Sequence, residues 1–274
     1  MASWKALIQP SVAMNAIAKR RRLKQNEGAM QVDESKLPEL TKDFEQAFGS
    51  RLVSLSLHGA GVPLWWPANL VVVLFQATAT ALHPAHAILG RWRRRGLATP
   101  LFLTRADLDR SLDAFPLEFF HLKLDARLLS GADHFQALEP EPEMLRLQCE
   151  RELKGRAIAL RQAYAASTLR EELQALIAGS LPLFLGVFRG LLHLRGQTCP
   201  LPPAELLAAA AKDLKVKAEV FQRLAEVAQG AARKPSADAL HTLVGDYLAE
   251  CERLATLADE LHAQGGGQET PRKE

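Results

Sequence analysis

The residues able to do chemistry stand in a few short stretches. Arg91-Trp92-Arg93-Arg94-Arg95 sets one indole among four guanidinium groups. Such a cluster either closes a helix, where cations suit the negative end of its dipole, or grips phosphate and a stacked base. Glu118 stands among apolar neighbours in Phe115-Pro116-Leu117-Glu118-Phe119. A carboxylate so placed faces solvent, pairs with a cation such as Lys123 or an Arg of the 91–95 cluster, or serves a polar cleft. Arg146, Glu150 and Lys154 recur at every fourth position. Glu150–Lys154 has the favourable orientation on a helix, worth about 0.2–0.5 kcal/mol. The set reads as a charged helix face, or as the lining of a cleft between domains where an acceptor sits beside Arg146, Lys154 and, from a later helix, Arg189, with Glu150 a candidate base. Arg189 lies in the apolar run LPLFLGVFRGLLHL. A buried Arg needs a partner, and Glu150 or Glu152 is expected to supply it. His58 and His121 are a weak metal pair without a third ligand. Trp65-Trp66 is a plug, a packed loop, or an exposed patch for a protein partner.

These residues need elements to hold them. Arg51–Phe75 reads as strand, glycine-containing turn, strand, and Leu70–Phe75 is apolar without a break, as in a strand covered on both faces. Leu37, Leu40, Phe44 and Phe48 recur at helical spacing before Gly49. A helix is expected over His83–Arg95, then a short strand at Leu101–Leu103. Thr104 caps a helix, with Asp107 in the capping-box position. That helix is expected to reach about Ala114, with Pro116 marking its end. Leu117–Leu124 is expected as a strand and Arg127–Gly131 as a short edge strand. From Glu143 the pattern is helical, with helices expected over Leu145–Tyr164, Glu171–Ile177, Leu181–Leu194, Ala204–Leu214, Ala218–Gln229 and Ala237–His262. The reading is α+β: residues 1–35 as a flexible basic arm around Lys19–Lys24, 36–140 as a small mixed-sheet domain, 141–263 as an all-α helical bundle, and 264–274 as a disordered tail.

Composition narrows the function classes. The chain has 274 residues and a formal net charge of +3, which is not the charge of a nucleic-acid binder. The three cysteines lie far apart and lack zinc-ligand spacing, so neither a disulfide framework nor a zinc site is expected. No apolar run reaches membrane-spanning length and no secretory leader is recognised. A cytoplasmic protein is the expectation.

Several stretches resemble a family: LVSLSLHGAG, NLVVVL, LDAFPLEFFHLK and RLQCERELKGRAIALRQAY. They are similar to bacterial nucleotidyltransferase-domain proteins, in which a polymerase-beta-like domain precedes a helical bundle. The resemblance implies nucleotide contacts at Gly59, Ala60 and Asn69, with Arg93, Arg94 and Arg95 on the triphosphate. In active members, three carboxylates hold two magnesium ions that bridge the nucleoside triphosphate. Glu118 matches the third carboxylate. The first two are missing: no Asp or Glu lies between Glu45 and Asp107, and Asn69 stands near an expected ligand position. Asn offers a carbonyl oxygen without charge, while magnesium wants hard oxygen ligands. The resemblance therefore implies a catalytically degenerate protein that binds a nucleotide, small substrate or protein partner in the cleft between its domains. The alternative is an active enzyme moving a nucleoside monophosphate to a hydroxyl, with magnesium at Glu118.

Overall fold

The computed structural model describes residues 34–59, 69–95, 97–167, 170–178, 181–228 and 235–265. The chain divides into two compact units, Met1–Glu139 and Pro140–Glu274. The first unit carries a mixed sheet, and the described residues of the second are helical or in connections.

Helix α1 (Leu37–Phe48) buries Leu37, Leu40, Phe44 and Phe48, a stripe at three- and four-residue spacing. Gly49 closes it at φ 51, donating its N–H to the Glu45 carbonyl; only glycine takes that conformation cheaply. Strand β1 (Leu52–His58) pairs antiparallel with β2 (Asn69–Leu74). β2 pairs in parallel with β3 (Leu101–Thr104), and β1 pairs antiparallel with β4 (Arg127–Gly131). The order is β3-β2-β1-β4. The parallel step needs a crossover, which α2 (Ala79–Leu82) and α3 (Ala85–Arg93) supply. The helix expected over His83–Arg95 begins instead at Ala85, because Pro84 has no N–H to continue a helix through it.

β2 is buried on both faces. Leu70, Val72 and Leu74 join a core with Phe44 and Phe48 of α1 and with Ile88 and Trp92 of α3. Val71 and Val73 join a second core with Leu103, Leu108, Phe119, Leu122 and Phe135. The Thr104–Asp107 capping box starts α4 (Arg105–Arg110), with Asp107 N–H donating to Thr104 Oγ1 at 3.2 Å and Thr104 N–H to Asp107 Oδ2 at 2.7 Å. α4 ends at Arg110, short of the expected Ala114.

The largest correction concerns residues 117–124. They form helix α5 (Pro116–Asp125), not a strand. Pro116 does not end the preceding helix; it occupies the first turn of this one, where a missing N–H costs nothing. Pro116, Leu117, Phe119, Phe120, His121 and Leu122 are all buried. A helix covered nearly all round shows no 3.6-residue period, so the apolar run reads equally as a strand. Glu118 therefore stands in the first turn of a helix.

Ser54, Ser56 and His58 sit opposite Val73, Val71 and Asn69. Directly opposed residues share a sheet face, so β1 turns a polar row toward the face that α5 covers. Ser54 and Ser56 are buried there.

The second unit contains α6 (Pro142–Ala166), α7 (Arg170–Ala178), α8 (Leu181–Leu194), α9 (Pro203–Asp213), α10 (Ala218–Ala228) and α11 (Ala237–Gly265). Its core includes Phe184, Phe188, Phe221 and Tyr247, with Phe188–Phe221 ring centroids 5.0 Å apart. Gly196, φ 66, closes α8 just beyond Leu194: Gln197 N–H reaches the Leu192 carbonyl at 2.9 Å and Gly196 N–H that of His193 at 2.8 Å. α11 runs past the expected start of the tail to Gly265; the rest of the tail and the expected basic arm around Lys19–Lys24 lie outside the described residues.

Gly131 generates a test. Its φ is +84, and an added Cβ would overlap the Val53 carbonyl oxygen and stand 2.8 Å from Ser54 Cα. Both contacts are backbone, so neither can swing aside. Gly131→Ala is expected to destabilise the protein by about 2–3 kcal/mol, read as a lowered urea midpoint followed by tryptophan fluorescence.

Candidate functional site

The candidate site is built at one end of the sheet, where β1 stops and β2 starts. His58 ends β1 and faces Asn69 across the ladder. Gly59 follows at φ 81, a turn that only glycine makes without strain. The Asn69 side chain is spent locally: its Oδ1 accepts from Leu70 N–H at 2.9 Å and its Nδ2 donates to the Thr99 carbonyl at 3.0 Å. Arg93 Nη2 donates to Thr99 Oγ1 at 2.9 Å. Asn69 and Arg93, which sequence reasoning selected, thus meet at Thr99, which it did not.

The carboxylate that reaches this end is Asp125, not Glu118. α5 delivers Asp125 from its last turn, where an oxygen contacts His58 Nδ1. The Asp125 side chain is 4% exposed and that of His58 17%. Glu118 lies seven residues away on the same helix, about 10 Å along the axis at 1.5 Å per residue. The Asp125 partnership was hidden because a helical register brings Asp125 under β1, whereas the expected strand stopped at Leu124.

The arginine cluster divides its work. Trp92 is buried, 3% exposed, and donates Nε1–H to Asp43 Oδ2 at 2.7 Å, so its ring is core and not a platform for a base. Arg91 pairs with the same Asp43. Arg95 pairs with Glu39 at 2.6 Å and lies 4.7 Å over the Trp92 ring. These contacts fasten α3 to α1. Arg93 alone of the cluster bonds Thr99, and Arg94 is exposed. Ala60, Trp65 and Trp66 lie outside the described residues. Lys123 pairs with Glu139.

In the second unit, Arg146, Glu150 and Lys154 form one ion-pair chain. Arg146 grips Glu143 with two bonds, at 2.8 and 2.9 Å, and Glu150 at 2.9 Å. It also donates to the Ala258 carbonyl of α11 at 3.2 Å. Glu150 bonds Lys154 as well. The Arg146 guanidinium is pushed up, first by the Glu143 bond against its burial. Glu150 is held below the ordinary carboxylate value, first by Lys154 and then, against burial, by Arg146. Arg189, 2% exposed, donates to the Leu201 carbonyl at 2.9 Å. Cys149 and Cys251 are buried, and burial pushes the Cys251 thiol up to about 12; a thiol kept protonated is a poor nucleophile.

The donor set at the Gly59–Asn69 end does not suit a magnesium pair. Asn69 Oδ1 is occupied by a backbone N–H, and Asp125 is engaged by an imidazole. Among the described residues, no three His, Cys, Asp or Glu side chains come together as metal ligands. Among the same residues, no helix is long and apolar enough to cross a membrane. No protein-family model matches the chain, and no curated protein matches it significantly.

Glu150 gives a prediction with a definite sign. A carboxylate whose folded value is lowered stabilises the fold above its unfolded value, and that contribution is lost as pH falls through the folded one. The stability gap between the native chain and Glu150→Gln should be present at neutral pH and close below about pH 4. Urea denaturation across a pH series measures it.

Proposed function

We propose that this chain is a cytoplasmic nucleotidyltransferase-like protein that binds a nucleotide at the Gly59–Asn69 end of its sheet, without the magnesium pair of the family it resembles. The observation that carries the reading is the charge at that end. Arg93 and Asn69 both bond Thr99 there, and His58, opposite Asn69 in the ladder, engages the one carboxylate, Asp125. A triphosphate brought to such a place meets a guanidinium and neutral donors rather than a ring of acids. The stretches LVSLSLHGAG and NLVVVL, which carry the resemblance, are the strands that end or begin there.

A second reading, transfer of a nucleoside monophosphate to a hydroxyl, is favoured by a single observation: a buried carboxylate stands behind a partly buried imidazole at the same end.

Calorimetric titration with ATP tests the first reading. Heat of binding is expected in EDTA as well as with magnesium. Arg93→Ala should weaken ATP by about tenfold, the loss of one charge-assisted hydrogen bond, while Arg95→Ala, whose partner is Glu39, leaves affinity unchanged. A folded protein that gives no heat with ATP would sink the reading and leave a protein partner at Trp65 and Trp66. Binding that needs magnesium and disappears in Glu118→Ala would restore the metal-dependent enzyme.

A further inference from the structure

His83 and His86 are the one pair of histidines in the chain that stand within four residues of each other. A single helical turn joins them. His83 follows α2 with φ −50 and ψ −42, Pro84 keeps helical torsions ahead of α3, and His86 N–H donates to the His83 carbonyl at 3.1 Å. Residues three apart on such a turn are neighbours on its surface. The two imidazoles accordingly have ring centroids 5.5 Å apart and planes tilted by 59°. Both residues are exposed, so neither ring is held by the core. Pro84 fixes φ between them, which leaves less freedom to lose if the rings share a ligand.

The separation is the one a shared metal ion requires. Zinc sits about 2.0–2.1 Å from an imidazole nitrogen, hence about 3.2 Å from the centre of the ring. Two rings on one ion at a tetrahedral angle then have centres about 5.2 Å apart, against the observed 5.5 Å. We propose that His83 and His86 form a surface site for a divalent transition metal, zinc or copper, with water in the remaining positions. The site is independent of the nucleotide reading and uses none of its residues. Two protein ligands make an open site rather than a closed structural one. Imidazole takes copper ahead of zinc, and magnesium, which wants hard oxygens, gains little from it. A bound ion ties the end of α2 to the first turn of α3, within the crossover from β2 to β3.

Gly90 supplies a positive arm for the test. It lies four residues after His86 on α3, is exposed, and an added Cβ there meets nothing within 4 Å. Gly90→His brings a third imidazole to the same face and should tighten zinc at least about tenfold. The untagged full chain, stripped with EDTA and dialysed, is titrated calorimetrically with zinc, copper and magnesium chlorides in the absence of nucleotide. One equivalent of zinc is expected, with copper tighter and no heat from magnesium. His83→Ala and His86→Ala should each weaken zinc by at least about tenfold. Zinc should raise the Tm of the native chain and leave that of either variant unmoved. Cys199, the one cysteine that is not buried, is the competing ligand, and Cys199→Ser should leave affinity unchanged. Zinc binding that survives both alanine variants, or is lost in Cys199→Ser, puts the ion elsewhere and overturns the proposal. So does a chain that takes zinc only after Gly90→His, or not at all, because the native pair is then two solvated histidines.

Discussion

Everything in the first unit depends on one strand being dry on both sides. β2 offers Leu70, Val72 and Leu74 to one core and Val71 and Val73 to the other. Each face requires cover, and the chain supplies α1 and α3 on one side and α4 and α5 on the other. At about 25 cal/mol per Å² of apolar surface removed from water, such double cover is the main favourable term for a small sheet. The same demand fixes where the sheet can be polar. β2 leaves no room for hydrophilic side chains until Asn69, so the polar groups collect at its start and along the neighbouring row of β1.

Much of this was legible in the sequence, and the failures have physical causes. The unbroken β-branched run of β2, the Thr104–Asp107 box and the stripe of α1 each carry a local signal that burial reinforces. Residues 117–124 carried two compatible signals. Phe119, Phe120 and Leu122 are buried whichever period is assumed, and Pro116 marks either an end or a beginning. The error moved the site: as a strand the segment offered Glu118, and as a helix it offers Asp125. A contact between positions 58 and 125 is a property of tertiary packing, with no trace in spacing.

The arginines teach a similar lesson about charge. Arg91 and Arg95 looked available for phosphate because sequence shows cations without their partners. Asp43 and Glu39, far upstream, engage them, and the indole between them sits in the core. Arg146, Glu150 and Lys154 were legible as one face of a helix. What their spacing left out was the Glu143 grip and the reach to α11. In both units the charges clustered in sequence are largely engaged in holding helices together.

That reach has a consequence for the order of assembly. Arg146 belongs to the first helix of its unit and Ala258 to the last, 112 residues later. The two long helices pack along one another, so the flank of α6 that α11 covers stays exposed on the ribosome until the final helix arrives. The bundle closes like a clasp rather than growing turn by turn. A chain halted before α11 would present that flank to chaperones and to proteases, which gives the C-terminal helix a say in how long a nascent molecule survives.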